Sequence, residues 1–242
     1  MSRTLVIGDI HGGLKAVKQI FERAAVTPND TLIFLGDYVD GWSESALVID
    51  FLMELEKNQN CILVKGNHDD LLLNYLKTNL YHEEWFNHGG KSTIEAYKKV
   101  NEQKKQKHIA FLEQLRPYFL DEYNRLFIHA GFTNLKGIDF ESFKPLFYWD
   151  RTLWELALAV DKNLPFDSDL YPNRLKLYSE IFIGHTPTTR LNQTTPMHKA
   201  CVWNIDTGAA FTGPLTILDV ETKQFWQSDA LPALYPKENG RN

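Results

Sequence analysis

Residues 32 to 42 read LIFLGDYVDGW: the apolar run Leu32, Ile33, Phe34, Leu35 passes through Gly36 into two aspartates three apart, Asp37 and Asp40. An apolar run of that length reads as a buried strand. A carboxylate at its end is costly to desolvate unless something holds its charge. No Lys or Arg follows Gly41 for many positions, so a cation from outside the local sequence is the simplest partner.

The same pattern recurs along the chain. The run 4–7 leads into GDIHG (Gly8, Asp9, Ile10, His11, Gly12), and 62–64 into GNHD (Gly66, Asn67, His68, Asp69). Further on, 126–128 leads into His129, Ala130, Gly131, and 181–183 into Gly184, His185, Thr186. Five predicted strands thus bring Asp, His or Asn to their carboxyl ends, each beside a glycine. In α/β sheets that edge is where ligands bind. Helix-like segments alternate with the first strands, the rhythm of βαβ units, which predicts an α/β fold. Residues 71–123 read as a helical cap inserted into it. From Ala200 onward VWNID, PLTILDV and KQFWQ are expected to form a closing antiparallel meander. One domain over 1–230 is expected, followed by a polar, breaker-rich tail over 231–242 whose end should fray.

With 242 residues, 43% hydrophobic and 24% charged, the chain is long enough to bury a full core. A net charge of −5 argues against a nucleic-acid or membrane-surface protein, which would need a basic face. There is no leader-like start and no uninterrupted apolar stretch of spanning length, which places the protein in the cytoplasm by expectation. Cys61 and Cys201 lie in or beside strand-like sequence and read as buried thiols. The basic run 98–107 (KKVNEQKKQK) reads as a solvated helix face, with a phosphate dock as the alternative.

Oxygen and imidazole donors without thiolates suit Mn, Fe, Zn or Co rather than a structural all-sulfur site. Six such donors exceed what one ion with an open position can use. Two divalent ions sharing a carboxylate use them well, a common arrangement for phosphoryl chemistry. His82, His88, His108 and His198 have no comparable context and read as surface or helix-packing residues.

With GDIHG, GDYVD, GNHD, HAG and GHT in this order, the sequence resembles the calcineurin-like metallophosphoesterase superfamily, and within it the phosphoprotein phosphatases that include bacterial serine/threonine phosphatases. The resemblance implies two packed mixed β-sheets flanked by helices, a four-layer sandwich. It implies two divalent metal ions, most simply Mn, with Fe, Zn, Ni or Mg as alternatives. Asp9 and His11 would bind the first, Asp37 would bridge, and Asn67, His129 and His185 would bind the second. His68 would be the general acid, paired with Asp40, and a hydroxide bridging the metals would attack phosphorus in line. The expected substrate is a phosphorylated protein or a small phosphoester, with neither nucleic acid nor membrane as partner.

Two features bear on selectivity. The family pattern GDxVDRG carries an arginine that binds phosphate, and here Gly41 and Trp42 stand in place of Arg and Gly. Losing that contact should cost about 1.5–3 kcal/mol of phosphate binding, with Trp42 offering an aromatic wall instead. Arg151, in YWDR, matches a second phosphate-binding arginine of bacterial members, although it would serve equally as a first-turn helix residue. The segment 85–93 (WFNHGGKST) resembles a W-x-x-x-G-G-x-x-T stretch of bacterial protein phosphatases, which favours a serine/threonine phosphatase. Symmetrical diadenosine tetraphosphate hydrolase, or another nucleotide phosphoesterase, is the alternative. A non-catalytic metal-binding scaffold is a third reading, disfavoured because His68, Asp40 and the ligand set are intact.

Overall fold

The structure, a computed structural model, describes residues 2–241; Met1 and Asn242, the outer ends of the expected domain and tail, lie outside the described residues. The apolar runs around which the sequence is organised form the parallel centre of a first sheet: β1 (Thr4–Ile7), β2 (Thr31–Phe34) and β3 (Asn60–Leu63). They are in register from Thr4 opposite Thr31 to Ile7 opposite Phe34. A second parallel set comprises β5 (Arg125–Ile128), β6 (Glu180–Ile183) and β8 (Val202–Asn204), edged by β4 (Tyr118–Leu120) and β7 (Met197–Lys199). The first sheet is completed by β9 (Thr216–Asp219), antiparallel to β1, and β10 (Phe225–Gln227).

The central strands are apolar on consecutive residues because both faces of each sheet are covered. Between the sheets lie Val6, Ile33, Leu35, Phe127, Phe182, Ile205, Leu218 and Val220, with the Phe127 and Phe182 rings stacked 4.8 Å apart. The outer face of the first sheet packs on α1 (Leu14–Arg23) and α2 (Ser45–Leu55). It also meets α3 (Asn67–Thr78), α5 (Lys91–Tyr97) and α6 (Glu102–Glu113), helical segments of and around the expected cap, while α4 (Glu83–Trp85) packs on α3 through the Trp85 and Tyr75 rings. Helix α1 shows why: Leu14, Ala16, Val17 and Ile20 make one buried stripe. The second sheet's outer face packs on α7 (Leu146–Trp149) and α8 (Thr152–Ala159). The result is the four-layer sandwich of two mixed sheets.

The expected closing meander is corrected. β9 and β10 do form a hairpin, but β8 lies in the other sheet, parallel to β6. Ile205 follows β8 into the layer between the sheets, and the chain crosses there before β9 begins. Strand-like composition reports a buried extended segment, not the sheet it joins.

The tail also differs from expectation. Helix α9 (Leu231–Leu234) is followed by Tyr235, which is buried and stacks on the Trp42 indole at 5.2 Å and 24°. Glu238 accepts from Ser43 N and Oγ at 2.9 and 2.7 Å, and Arg241 N donates to Ala210 O at 2.9 Å. Local polarity suggested fraying because the large aromatic surface that docks the tail is some 190 residues away in sequence. Among the described residues no helix is long and apolar enough to cross a membrane, and Cys61 and Cys201 are free, half-buried thiols.

Candidate metal centre

Both parallel sets present their carboxyl ends on the same side, so loops distant in sequence meet there. β1 leads to Asp9 and His11, β2 to Asp37, and β3 through Gly66 to Asn67 at the start of α3. β5 leads to His129 and β6 to His185. All six residues are buried. Asp37 Oδ2 sits between the two halves of the set, 3.6 Å from His11 Nε2 and 3.4 Å from His129 Nε2. Asp9 Oδ2 is 3.9 Å from His11 Nε2, while Asn67 Oδ1 is 3.1 Å from His129 Nε2 and 2.9 Å from His185 Nδ1. The donor atoms of Asp37, His129 and His185 cluster tightly enough for one cation, as do those of His11, Asp37 and His68.

The backbone is strained to achieve this. His11, Asp37, Asp40 and His185 have φ of 52°, 53°, 73° and 66°, in the left-handed region that costs side-chain-bearing residues about 1–3 kcal/mol each. Hydrogen bonds hold the loops there: Ile10 N and His11 N both donate to Asp37 O, and Asp37 N and Tyr38 N donate to the carboxylate of Asp69. Asp69, the last residue of GNHD, also accepts from Gly66 N, so one carboxylate ties the β2 loop to the start of α3. Glycine is needed at Gly184, where a Cβ would fall 2.0 Å from Asp9 Oδ1.

Whether the residues suit cations can be judged from their hydrogen bonds. His129 Nδ1 donates to Leu35 O at 2.8 Å, which leaves Nε2 facing Asn67 Oδ1 and Asp37 Oδ2, both acceptors. Only a proton or a cation reconciles that arrangement. Burial lowers the His129 pKa, but Asp37 and Asp9 outweigh it and push it up to about 10. Burial holds His11 and His185 well below the usual histidine range. Asp9 is raised by burial and by Asp206. Asp9 Oδ1 and His185 Nε2 are buried without a hydrogen-bond partner among the described residues. Carboxylates, an amide oxygen and imidazole nitrogens converging with unspent lone pairs fit divalent cations of the Mn, Fe or Zn type.

His68 is placed differently. Its Nδ1 donates to Asp40 Oδ2 at 2.6 Å, leaving Nε2 as the ring's other nitrogen. The same Asp40 oxygen accepts from the Trp85 indole, and Asp40 N donates to Thr93 Oγ1 at 3.0 Å. Gly90 lies against the Trp85 ring, where a Cβ would come within 2.6 Å. The tryptophan, glycines and threonine of 85–93 therefore build a cradle for the His68–Asp40 pair. Trp85→Phe keeps the packing and removes one hydrogen bond to a charged group. It should lower kcat about tenfold with little change in KM. The loss should be larger on an alkyl phosphoester than on p-nitrophenyl phosphate, whose leaving group departs without a proton, and an unchanged kcat would contradict this role.

Above the donors opens a cleft of about 480 Å³, floored by Asp37, Asn67, His68 and His185 and flanked by Trp85 and the half-exposed Trp149. Arg151 lines it and donates to Thr186 Oγ1 at 3.0 Å. Arg190 and Arg241 line it too. Neither figured in the sequence reading. The arginine–carboxylate pairs among the described residues are those of Arg3, Arg23 and Arg125, so the three cleft guanidiniums have no such partner. Burial lowers the Arg151 pKa, and repulsion from Arg190 and Arg241 adds to it.

One expectation is corrected here. Trp42 is fully buried, donates to Ala209 O at 2.7 Å and lies outside the cleft, so it is no wall for phosphate. His82 and His88 are surface residues as expected, and α4 and the turn that follows bring them to the wall of the cleft. His108 and His198 are packing residues as expected: His108 bonds Tyr97 and Asp50, and His198 stacks on Trp203. Asp206, which follows β8, is a further buried carboxylate near the donors that sequence reasoning missed. Burial, with Asp37 adding, pushes it up to about 6. Its signal was an aspartate at the end of a strand, beside no glycine.

The family model described as calcineurin-like phosphoesterase matches residues 2–208. The chain belongs to the calcineurin-like phosphoesterase family. Its relatives include bis(5'-nucleosyl)-tetraphosphatase PrpE [asymmetrical] of Oceanobacillus iheyensis, 27% identical over 91% of this chain and 89% of the relative. The protein of that name from Anoxybacillus flavithermus is 28% identical over 88% of each chain. Among solved structures, a candidate diadenosine tetraphosphatase superposes with a TM-score of 0.63 at 17% identity, covering 94% of this chain and 93% of that one. A serine/threonine phosphatase from Saccharomyces cerevisiae with similarity to human phosphatase PP5 gives 0.61 at 18% identity, covering 95% and 80%. This calcineurin-like phosphoesterase thus shares its fold with both, and the activity common to the family is hydrolysis of a phosphoester.

Proposed function

We propose that the protein is a dinuclear-metal phosphohydrolase acting on a nucleoside polyphosphate, a dinucleoside tetraphosphate in the first instance. The observation that carries the substrate class is the trio Arg151, Arg190 and Arg241, three guanidiniums around one cleft without carboxylate partners among the described residues. A monoester needs one or two such contacts, whereas a chain of phosphates can engage all three. Trp149, 46% exposed at the rim, offers a face for a base. The relatives over most of the chain carry the tetraphosphatase name, which supports the same reading. The basic run 98–107 does not enter into it: Lys98 pairs with Glu95, Lys104 with Asp50, and no residue of the run lines the cleft.

Asp9, His11 and Asp37 would hold one cation, and Asp37, Asn67, His129 and His185 the other. Bound there, two divalent ions would supply a water of lowered pKa and neutralise charge on the phosphoryl oxygens. The chain's own part is orientation and proton transfer. His68, held by Asp40, gives its Nε2 proton to the departing oxygen. Arg151 and its neighbours fix the phosphates in line. Trp85 and the cap keep the pair dry, which strengthens both effects.

The test is a substrate panel under Mn, comparing diadenosine tetraphosphate with serine and threonine phosphopeptides, with products resolved by chromatography. The expected result is kcat/KM at least tenfold higher on the dinucleotide, with ATP and AMP as products if the cut is asymmetrical. Faster turnover of phosphopeptides would return the assignment to a protein phosphatase.

A further inference from the structure

The position that lacks its expected arginine lies beside another one. Gly41 has φ +109°, and a Cβ built on it would sit 3.3 Å from Cγ of Arg241 and 3.6 Å from Cβ of His11. The stem of Arg241 therefore runs along the space that a side chain at 41 would enter. Among the described residues its guanidinium is held at Nε, which donates to His88 O at 2.9 Å, and the carbon of the group lies 5.3 Å from the Phe211 ring. It lines the cleft together with Asp37, Asn67 and His68, and its charge is felt at His11, Asp206 and Arg151.

What brings Arg241 there is the residue after Gly41. Trp42 stacks on Tyr235, and Ser43 binds the Glu238 carboxylate. Gly240, at φ +60°, passes over the indole where a Cβ would come within 2.7 Å of Trp42 Cζ2. Residues 42 and 43 thus dock residues 235–241, and the docked segment ends with a guanidinium next to residue 41. The two departures from the family pattern belong together: the glycine leaves room and the tryptophan anchors what fills it.

We propose that Arg241 is the phosphate-clamping arginine of this site, supplied from the far end of the chain in place of the side chain that position 41 lacks. The ligand is the phosphoryl group shared by inorganic phosphate and phosphoesters. This rests on the phosphoester reading of the cleft but not on which ester is hydrolysed. An arginine at 41 would be strained at that φ and would crowd the Arg241 stem, so Gly41→Arg does not restore a missing contact.

The experiment compares Arg241→Met, Arg241→Lys and, as a control for net charge, Lys237→Met on the exposed face of the tail. Binding of inorganic phosphate is measured by calorimetry on Mn-loaded and on chelator-treated protein, beside KM and kcat for p-nitrophenyl phosphate. Arg241→Met should weaken phosphate binding about 10- to 100-fold, a charge-assisted pair of contacts. Arg241→Lys should recover part of it and Lys237→Met should match the parent. Unchanged phosphate affinity in Arg241→Met, or equal weakening in Lys237→Met, overturns the proposal. Should Arg241→Met fold poorly, the parent protein decides: phosphate should protect Arg241 from phenylglyoxal, read by peptide mass spectrometry, and equal modification with and without phosphate counts against it. A parent that binds phosphate through Arg241 yet hydrolyses no ester would defeat the proposed function and leave this inference standing. Normal turnover with an indifferent Arg241 would do the reverse.

Discussion

His68→Gln is expected to lower kcat for an alkyl phosphoester by about 10²–10⁴, the usual contribution of a positioned general acid. The geometry behind this is specific: Nδ1 is committed to Asp40 Oδ2 at 2.6 Å, and the Trp85 indole donates to the same oxygen. Nε2, the ring's other nitrogen, is then the one that would give a proton to the departing oxygen. The effect should depend on the leaving group. An alkoxide needs the proton, whereas p-nitrophenolate departs readily without it, so on p-nitrophenyl phosphate the loss should be at most about tenfold. Steady-state kinetics on both esters check this. Equal losses on the two would mean that His68 acts as a cation ligand, a role its place in the His11–Asp37–His68 cluster would permit.

Asp37→Ala should have an effect at least as large, read first in metal content. One oxygen of Asp37 faces both His11 and His129, so its removal dismantles both halves of the donor set. Bound metal should fall from two per chain to below one, and turnover should fall by more than the 10- to 100-fold (about) typical of losing a mere supporting partner. Loading should also release protons. His129, pushed up to about 10 by Asp37 and Asp9 over the opposing effect of burial, holds a proton at pH 7 in the protein alone. A cation must displace it, so apparent affinity should rise with pH, by about tenfold per unit per proton displaced between pH 7 and 9. Metal analysis and competition with a chelator across that range measure both. Two metals retained by Asp37→Ala would refute the bridging role.

The parts legible in the sequence share one property. Asp9, His11, Asp37, Asn67, His129 and His185 each follow a short apolar run, and the carboxyl end of a parallel strand is a fixed place in space. Local pattern therefore located them without knowledge of the rest of the fold. The His68–Asp40 pair was legible only through resemblance, since the two stand 28 residues apart on different loops. Trp85 was noticed as part of a motif, but its hydrogen bond to Asp40 could not be read from it.

The sequence by itself determined the strand ends, their chemistry and the αβ rhythm, because these depend on neighbours within a few residues. Only the tertiary structure decided how the gap at Gly41 is dealt with. Trp42 looked like part of the cleft and proved to be an anchor for the tail, and Arg241 looked like the end of a polar tail and proved to line the cleft. The reason is physical: side-chain packing and long-range charge act through space. A stack between residues 42 and 235 leaves no periodic trace in the chain that carries them.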